Sequence, residues 1–306
     1  MTRRILAIVI AFVFSIAGHL LVYVGGTDLL MRSQQFAAGP GNPLAVIGVI
    51  IGLILIAIAA LTIAVSSAGV IALGALHVVF GLLTVLLPIG FELRPPTFQL
   101  TLLLRDLNMG MGDGMLANFI LGPGFMTGVI LLVAGLAARG RTMRANPLAI
   151  LVSIAVSILG FIGIFVAITG GSYIYRAMLQ QLSGRVDAVG VGLLLLGSVL
   201  LAATVFTVRW SSAGVILLGA VIIVAALLWS LLSRELFGAL VGISRDLANA
   251  LVYVGGSGLL ALVGVVLVAV GVGASVRARR AARAVEPSYA PAPAGAPPQP
   301  VDPQVV

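Results

Sequence analysis

Residues 66–75 read SSAGVIALGA and residues 211–220 read SSAGVILLGA, agreeing at nine of ten positions at a shift of 145. A match this long within one chain of 306 residues is the mark of an internal duplication. The likeness extends to both sides. Gly25-Gly26-Thr27 recurs as Gly170-Gly171-Ser172, Glu92-Leu93 as Glu235-Leu236, and Arg105-Asp106-Leu107 as Arg245-Asp246-Leu247. Nearer the N-terminus, Leu6-Ala7-Ile8 aligns with Leu148-Ala149-Ile150, Ser15 with Ser157 and Gly18 with Gly160 at a shift of 142. A three-residue insertion before the glycine pair then restores 145.

Each Ser-Ser-Ala-Gly motif joins two long apolar runs almost without a loop, which predicts an antiparallel helical hairpin. Reading on gives eight such runs: Ile5 to Val24, Leu44 to Val65, Val70 to Ile89, Phe119 to Ala138, Leu148 to Thr169, Ala188 to Val208, Val215 to Leu232, and Leu259 to Val276. None contains Asp, Glu, Lys or Arg, and each approaches the roughly 20 residues that cross a bilayer. Hydrocarbon offers no partner to an open amide, so each run must be a helix, and continuous apolarity excludes barrel strands. Composition agrees. The chain is 61% apolar and 8% charged with a mean hydropathy of +1.23, whereas soluble domains carry about 25% charged residues. The fold expected is an all-α integral membrane protein of eight transmembrane helices in two tandem, parallel four-helix repeats.

Even crossings per repeat put both repeats in the same orientation, related by a pseudo-twofold axis along the membrane normal. The expected divisions are 1–138 for the first repeat, 139–147 for a short basic linker, 148–283 for the second repeat and 284–306 for a Pro/Ala-rich tail. That tail, EPSYAPAPAGAPPQPVDPQVV from Glu286, has no apolar periodicity and is expected to be disordered.

Orientation follows from arginine, which supplies all 17 basic residues. With a cytoplasmic N-terminus the inner segments hold Arg3, Arg4, Arg139, Arg141, Arg144, Arg209, Arg277, Arg279, Arg280 and Arg283 against Glu286 and Asp302. The outer segments hold Arg32, Arg94, Arg105, Arg176, Arg185, Arg234 and Arg245, balanced by Asp28, Glu92, Asp106, Asp113, Asp187, Glu235 and Asp246. The net charge of +8 therefore lies on one side, the positive-inside pattern, and predicts a plasma-membrane protein with both termini cytoplasmic. The inner arginines sit close to the bilayer, so the expected partners are membrane lipids, with anionic headgroups at the cytoplasmic face, and another membrane protein rather than nucleic acid. The first run exceeds a signal-peptide core and lacks a small-x-small cleavage site nearby, so it is expected to be retained. The Arg-only, Ala/Gly/Val-rich composition matches a high-GC bacterial genome.

Gly48 with Gly52 and Gly124 with Gly128 have the G-x-x-x-G spacing that lets helices approach closely, within the chain or between copies. Trp210 and Trp229 fall near span ends, where interfacial anchors sit. Residues 97–107, TFQLTLLLRDL, are too short to span and predict an interfacial helix on the outer face, ended before the next span by Gly110 to Gly114. Glu235 to Ala250 is expected to form its counterpart.

Few residues could carry chemistry. His19 and His77 are the ionisable side chains inside spans, the default functional candidates in a membrane protein. Counted from the starts of their runs, they differ in depth by roughly 10 Å at ~1.5 Å per residue. That spacing predicts no shared proton or metal, and the duplication aligns His19 with Phe161 and His77 with Ile222. Ser15, Ser153, Ser157 and Thr204 have no base nearby in sequence, and the absence of Cys removes thiolate chemistry. The expectation is of no enzyme, no cofactor and no metal site.

The remaining constellation is Glu92, Arg105 and Asp106 in the first repeat with Glu235, Arg245 and Asp246 in the second. Adjacent Arg and Asp face different sides of a helix, so these charges are expected to bridge to the Glu of their own repeat or across the pseudo-twofold axis. They would pin the outer helices or line a polar outer vestibule. Two functions fit these features: a non-catalytic membrane protein that organises or assists envelope components, and a transporter or flippase-like carrier of a neutral or lipophilic substrate. A polar cavity between the repeats would distinguish the carrier.

Overall fold

The computed structural model describes residues 2–34, 42–86, 96–140, 146–181 and 187–285, and throughout these the ordered elements are helical. The first half comprises α1 (Thr2–Gln34), α2 (Pro43–Leu61), α3 (Ser67–Leu86), α4 (Pro96–Leu107), α5 (Met109–Ile120) and α6 (Pro123–Ala137). The second comprises α7 (Pro147–Gln181), α8 (Ala188–Phe206), α9 (Ala213–Val241), α10 (Arg245–Gly256) and α11 (Leu259–Val285). Eight of these, all but α4, α5 and α10, lie in stretches long and apolar enough to cross a membrane. The chain is a polytopic membrane protein.

Helix ends are set by the same devices 145 residues apart. Asn42 Oδ1 accepts from Leu44 N at 3.1 Å to open α2, and Asp187 Oδ1 accepts from Val189 N at 2.9 Å to open α8. The 3₁₀ turns Thr62–Ala64 and Thr207–Arg209 close those helices, and Ser66 and Ser211 each accept a backbone N–H at 3.2 Å to start the return helix. Such side-chain acceptors satisfy amides that have no partner within the helix.

Packing recurs likewise. A Cβ on Gly18 would lie 2.7 Å from the Gly52 carbonyl oxygen, and one on Gly163 would lie 2.6 Å from that of Gly197. By this contact the counterpart of Gly18 is Gly163, at a shift of 145. Gly160, aligned with Gly18 in sequence at a shift of 142, meets Thr204 and Leu218 instead. The same contact places Ile164, not Phe161, opposite His19 in the duplication. Gly52 and Gly128 of the two G-x-x-x-G pairs are occupied within the chain, by α1 and by α3 respectively.

The innermost helices are α6 and α11, two-thirds buried where the other spans are less than half buried. Between them they tie the halves together: α11 packs on α2, α6 packs on α8, and the two touch each other. Large apolar side chains of the remaining spans, such as Val13, Ile54, Ile158 and Val199, face outward as a lipid-facing belt. Gly69 lies against Ala7, and Gly273 of α11 lies against Ile63, so both ends of the described chain sit at one end of the bundle with the two hairpin turns. We call this the terminal end.

Four readings of the far end are corrected. Helix α1 runs on to Gln34 and α7 to Gln181; at 33 and 35 residues they are about 50 Å long, beyond the ~30 Å of a hydrocarbon core. Gly110 to Gly114 do not break a helix but lie within α5, where Gly112 rests on Thr101 and Arg105 of α4, and Gly114 on Tyr23 of α1. The missing side chains are what let α5 lie flat on both neighbours. The fourth span begins at Pro123, not Phe119, because Gly122 takes φ 99° and Pro123 follows it. In the second half, α9 kinks at Leu232, where the run Val215 to Leu232 ends, and continues to Val241, so Glu235 lies on α9 and a separate helix starts only at Arg245. Trp210 is exposed at a span end, whereas Trp229 is buried against Gly255 of α10 and is no interfacial anchor. The tail expectation falls on 286–306, outside the described residues.

Candidate functional site

At the far end a cleft of about 280 Å³ opens between the halves. Its polar lining comes from four helices and a turn: Tyr23, Thr27 and Gln34 of α1, Asp113 of α5, Tyr175 of α7, Tyr253 of α10, and Ser257, which joins α10 to α11. Val22, Leu30, Met31, Leu116 and Leu259 supply apolar wall. The extended parts of α1 and α7 build this lining, so the cleft exists because those helices do not stop where their apolar runs stop.

Backbone contacts hold the walls. Gly26 of α1 packs on the Ser257 carbonyl, and Gly171 of α7 packs on the Leu121 carbonyl, each half reaching across to the other. The receiving carbonyls precede Gly122 and Gly258, the two glycines among the described residues with positive φ. A side chain at Gly26 or Gly171 would separate the halves. Thr27 Oγ1 donates to Tyr23 O at 2.9 Å and lies 3.1 Å from Gly110 O, fixing α1 to α5. The Tyr175 and Tyr253 rings meet across α7 and α10 with centroids 5.2 Å apart.

Beneath the cleft runs a buried polar cluster confined to the first half. Tyr23 accepts a hydrogen bond from Asn118 Nδ2 at 2.8 Å, and its ring lies 5.8 Å from that of His19. The rings of His19 and His77 are 5.1 Å apart, which corrects the depth separation expected from sequence. The reason is register. The Gly69–Ala7 contact makes these residues level, leaving His19 twelve residues and His77 eight residues farther on, an offset of only ~6 Å that side chains span. The apolar runs of α1 and α3 simply do not begin at the same depth. His19 and His77 therefore do come together, and Ile164 and Ile222, both fully buried, take their positions in the second half.

The charged constellation is arranged differently from expectation. Arg105 meets Asp113 of α5 at 3.6 Å, and Arg176 of α7 bonds Asp246 of α10. Neither Asp113 nor Arg176 was among the anticipated partners. Asp106, Arg245 and Glu235 are exposed on their helices, without an ion pair to one another among the described residues; Glu92 lies outside them. Arg105-Asp106 closes α4 whereas Arg245-Asp246 opens α10, so this sequence repeat does not occupy equivalent places. Hydrogen bonding from Tyr173 holds the Asp246 carboxyl below the usual carboxylate range; partial burial opposes this, and Arg176 and Arg245 add to it. The pair fastens α10, and with it Tyr253, to α7.

At the terminal end contacts again cross between the halves. Arg277 Nη1 donates to Ile63 O at 3.4 Å across the halves, Gly273 fits over the Ile63 side chain, and Gly140 approaches the Arg209 guanidinium. Among the described residues no group of three or more His, Cys, Asp or Glu is gathered. No protein-family model, curated protein or solved structure matches the chain.

Proposed function

We propose that the protein is a non-enzymatic carrier of the plasma membrane that takes a small, uncharged, largely apolar molecule into the cleft between two duplicated halves. The observation that carries this reading is the cleft itself. It lies where α1, α5, α7, α10 and α11 meet and opens at the far end, while at the terminal end Arg277 Nη1 donates across the halves to Ile63 O. Parallel repeats that pack on each other through one central helix apiece are suited to rocking about such a site. The lining fits an amphiphile: apolar wall with scattered Tyr, Thr, Gln and Ser donors, and a carboxylate, Asp113, already facing Arg105.

Recurrence of the caps, hairpin turns and glycine contacts at 145 residues supports the duplication. The arginine asymmetry supports a cytoplasmic terminal end, with the cleft facing outward. The organising role also considered for this composition gains no specific support, since the exposed apolar surface is what lipid itself would cover. The reading is tested by cysteine chemistry, for which a chain without native Cys is ready made. Single Cys residues at Gln34 and Tyr253 should be modified by a membrane-impermeant maleimide from outside intact cells, and the rate should fall when a transported amphiphile fills the cleft. Labelling only after cell lysis would overturn the orientation, and a rate indifferent to every amphiphile tried would count against the carrier.

A further inference from the structure

The His19–His77 pair is more ordered than a buried polar accident. Histidine Nδ1 lies 2.7 Å from Ser15 O in one case and 3.0 Å from Leu73 O in the other. A carbonyl oxygen only accepts, so each neutral ring carries its hydrogen on Nδ1, with Ser15 Oγ also 3.2 Å from that of His19, and keeps its lone pair on Nε2. This backbone clamp on Nδ1 is the arrangement that fixes the tautomer and orientation of metal-ligating histidines. His19 Nε2 is buried and has no hydrogen-bond partner, and neither has Asn118 Oδ1, which joins the same cluster through Tyr23.

Distance and charge narrow the ligand. With Nε2–metal bonds of about 2 Å and a ring centre ~1.1 Å behind its nitrogen, two imidazoles on one ion at a tetrahedral angle have centroids ~5 Å apart. These stand at 5.1 Å. Zinc in a closed site takes four ligands, and no third His, Cys, Asp or Glu joins this pair among the described residues. The buried donors are all neutral, so every charge on the ion stays uncompensated, which disfavours a divalent cation. A linear ion held by the two imidazoles alone would set their centroids ~6.2 Å apart, whereas a monovalent d10 ion that adds a third neutral donor takes angles of about 120° and a separation of ~5.4 Å, close to that observed. We propose that His19 and His77 form a membrane-embedded site for Cu(I), or Ag(I) as its redox-inert stand-in, through their Nε2 atoms. The second half lacks the site because Ile164 and Ile222 occupy the equivalent positions. The inference does not depend on the cleft carrying a substrate.

The full chain in detergent, kept anaerobic, is titrated with Cu(I) against a chromophoric Cu(I) chelator. Wild type should withhold one equivalent that a His19→Ile, His77→Ile double variant does not; the duplication already packs Ile at both places, so the variant should fold. Equal uptake by the two proteins overturns the site. A second measurement needs no variant. Only two histidines exist, so 15N-histidine spectra of the wild type with Ag(I) should show both Nε2 resonances moving together while Nδ1 stays protonated. Resonances that stay still, or a shift confined to one ring, overturn it equally.

Discussion

Gly163 on α7 faces Gly197 on α8 so closely that a Cβ on Gly163 would lie 2.6 Å from the Gly197 carbonyl oxygen. Lipid supplies no hydrophobic drive between helices, so this approach and its counterpart at Gly18 and Gly52 are where the helix pairs gain their dispersion contacts. Gly197→Val should cost ~1–3 kcal/mol, the usual scale of overpacking. Gly192→Ala, a position that meets nothing within 4 Å, should be neutral or stabilise by up to ~1 kcal/mol. Denaturant titration in mixed micelles checks both; equal losses would mean the glycines are incidental.

Asp246 ties α10 to α7 through Tyr173 and Arg176. Because its folded carboxyl titrates below the unfolded one, its contribution is fully present above ~4, the unfolded value, and is lost as pH falls through the folded value. Melting temperature measured from pH 7 to pH 3 should therefore show wild type above Asp246→Asn at neutrality, with the gap closing in acid. A gap independent of pH would rule out the charged pair as its source.

The Arg105–Asp113 pair is half-exposed at 3.6 Å and should contribute little. Arg105→Ala and Arg245→Ala are each expected to change stability by less than about 1 kcal/mol. Arg176→Ala should be the more damaging, since it releases the better-buried carboxylate. Thermal melts of the three variants give the order.

Sidedness is a separate expectation. Arg280→Cys at the terminal end should resist an impermeant maleimide until cells are lysed, whereas Gln34→Cys should react in intact cells. The reverse pattern would invert the topology read from the arginines.

The spans themselves were legible because an apolar run of bilayer length leaves the chain only one hydrogen-bonding solution. What lay beyond the runs was not. Helices α1 and α7 continue through polar residues to Gln34 and Gln181, and the cleft is made from these continuations, which hydropathy does not mark. Gly110 to Gly114 read as a breaker because glycine's intrinsic cost is local, while the contacts with Tyr23 and Thr101 that repay it are not. The histidines looked separate because depth was counted from the ends of apolar runs; only a tertiary contact, Gly69 on Ala7, sets the helices in register. Charges near one another in sequence found their partners elsewhere, Arg105 on α5 and Asp246 on α7.

The cleft is tested most directly by native mass spectrometry of the protein taken gently from its own membrane into lipid nanodiscs, alongside an Ala117→Trp variant that fills the lining. The account predicts a discrete bound small molecule in the wild type that the variant lacks, with no protein partner in fixed ratio. A stoichiometric protein partner without a bound small molecule, or the same small molecule on both proteins, would contradict it.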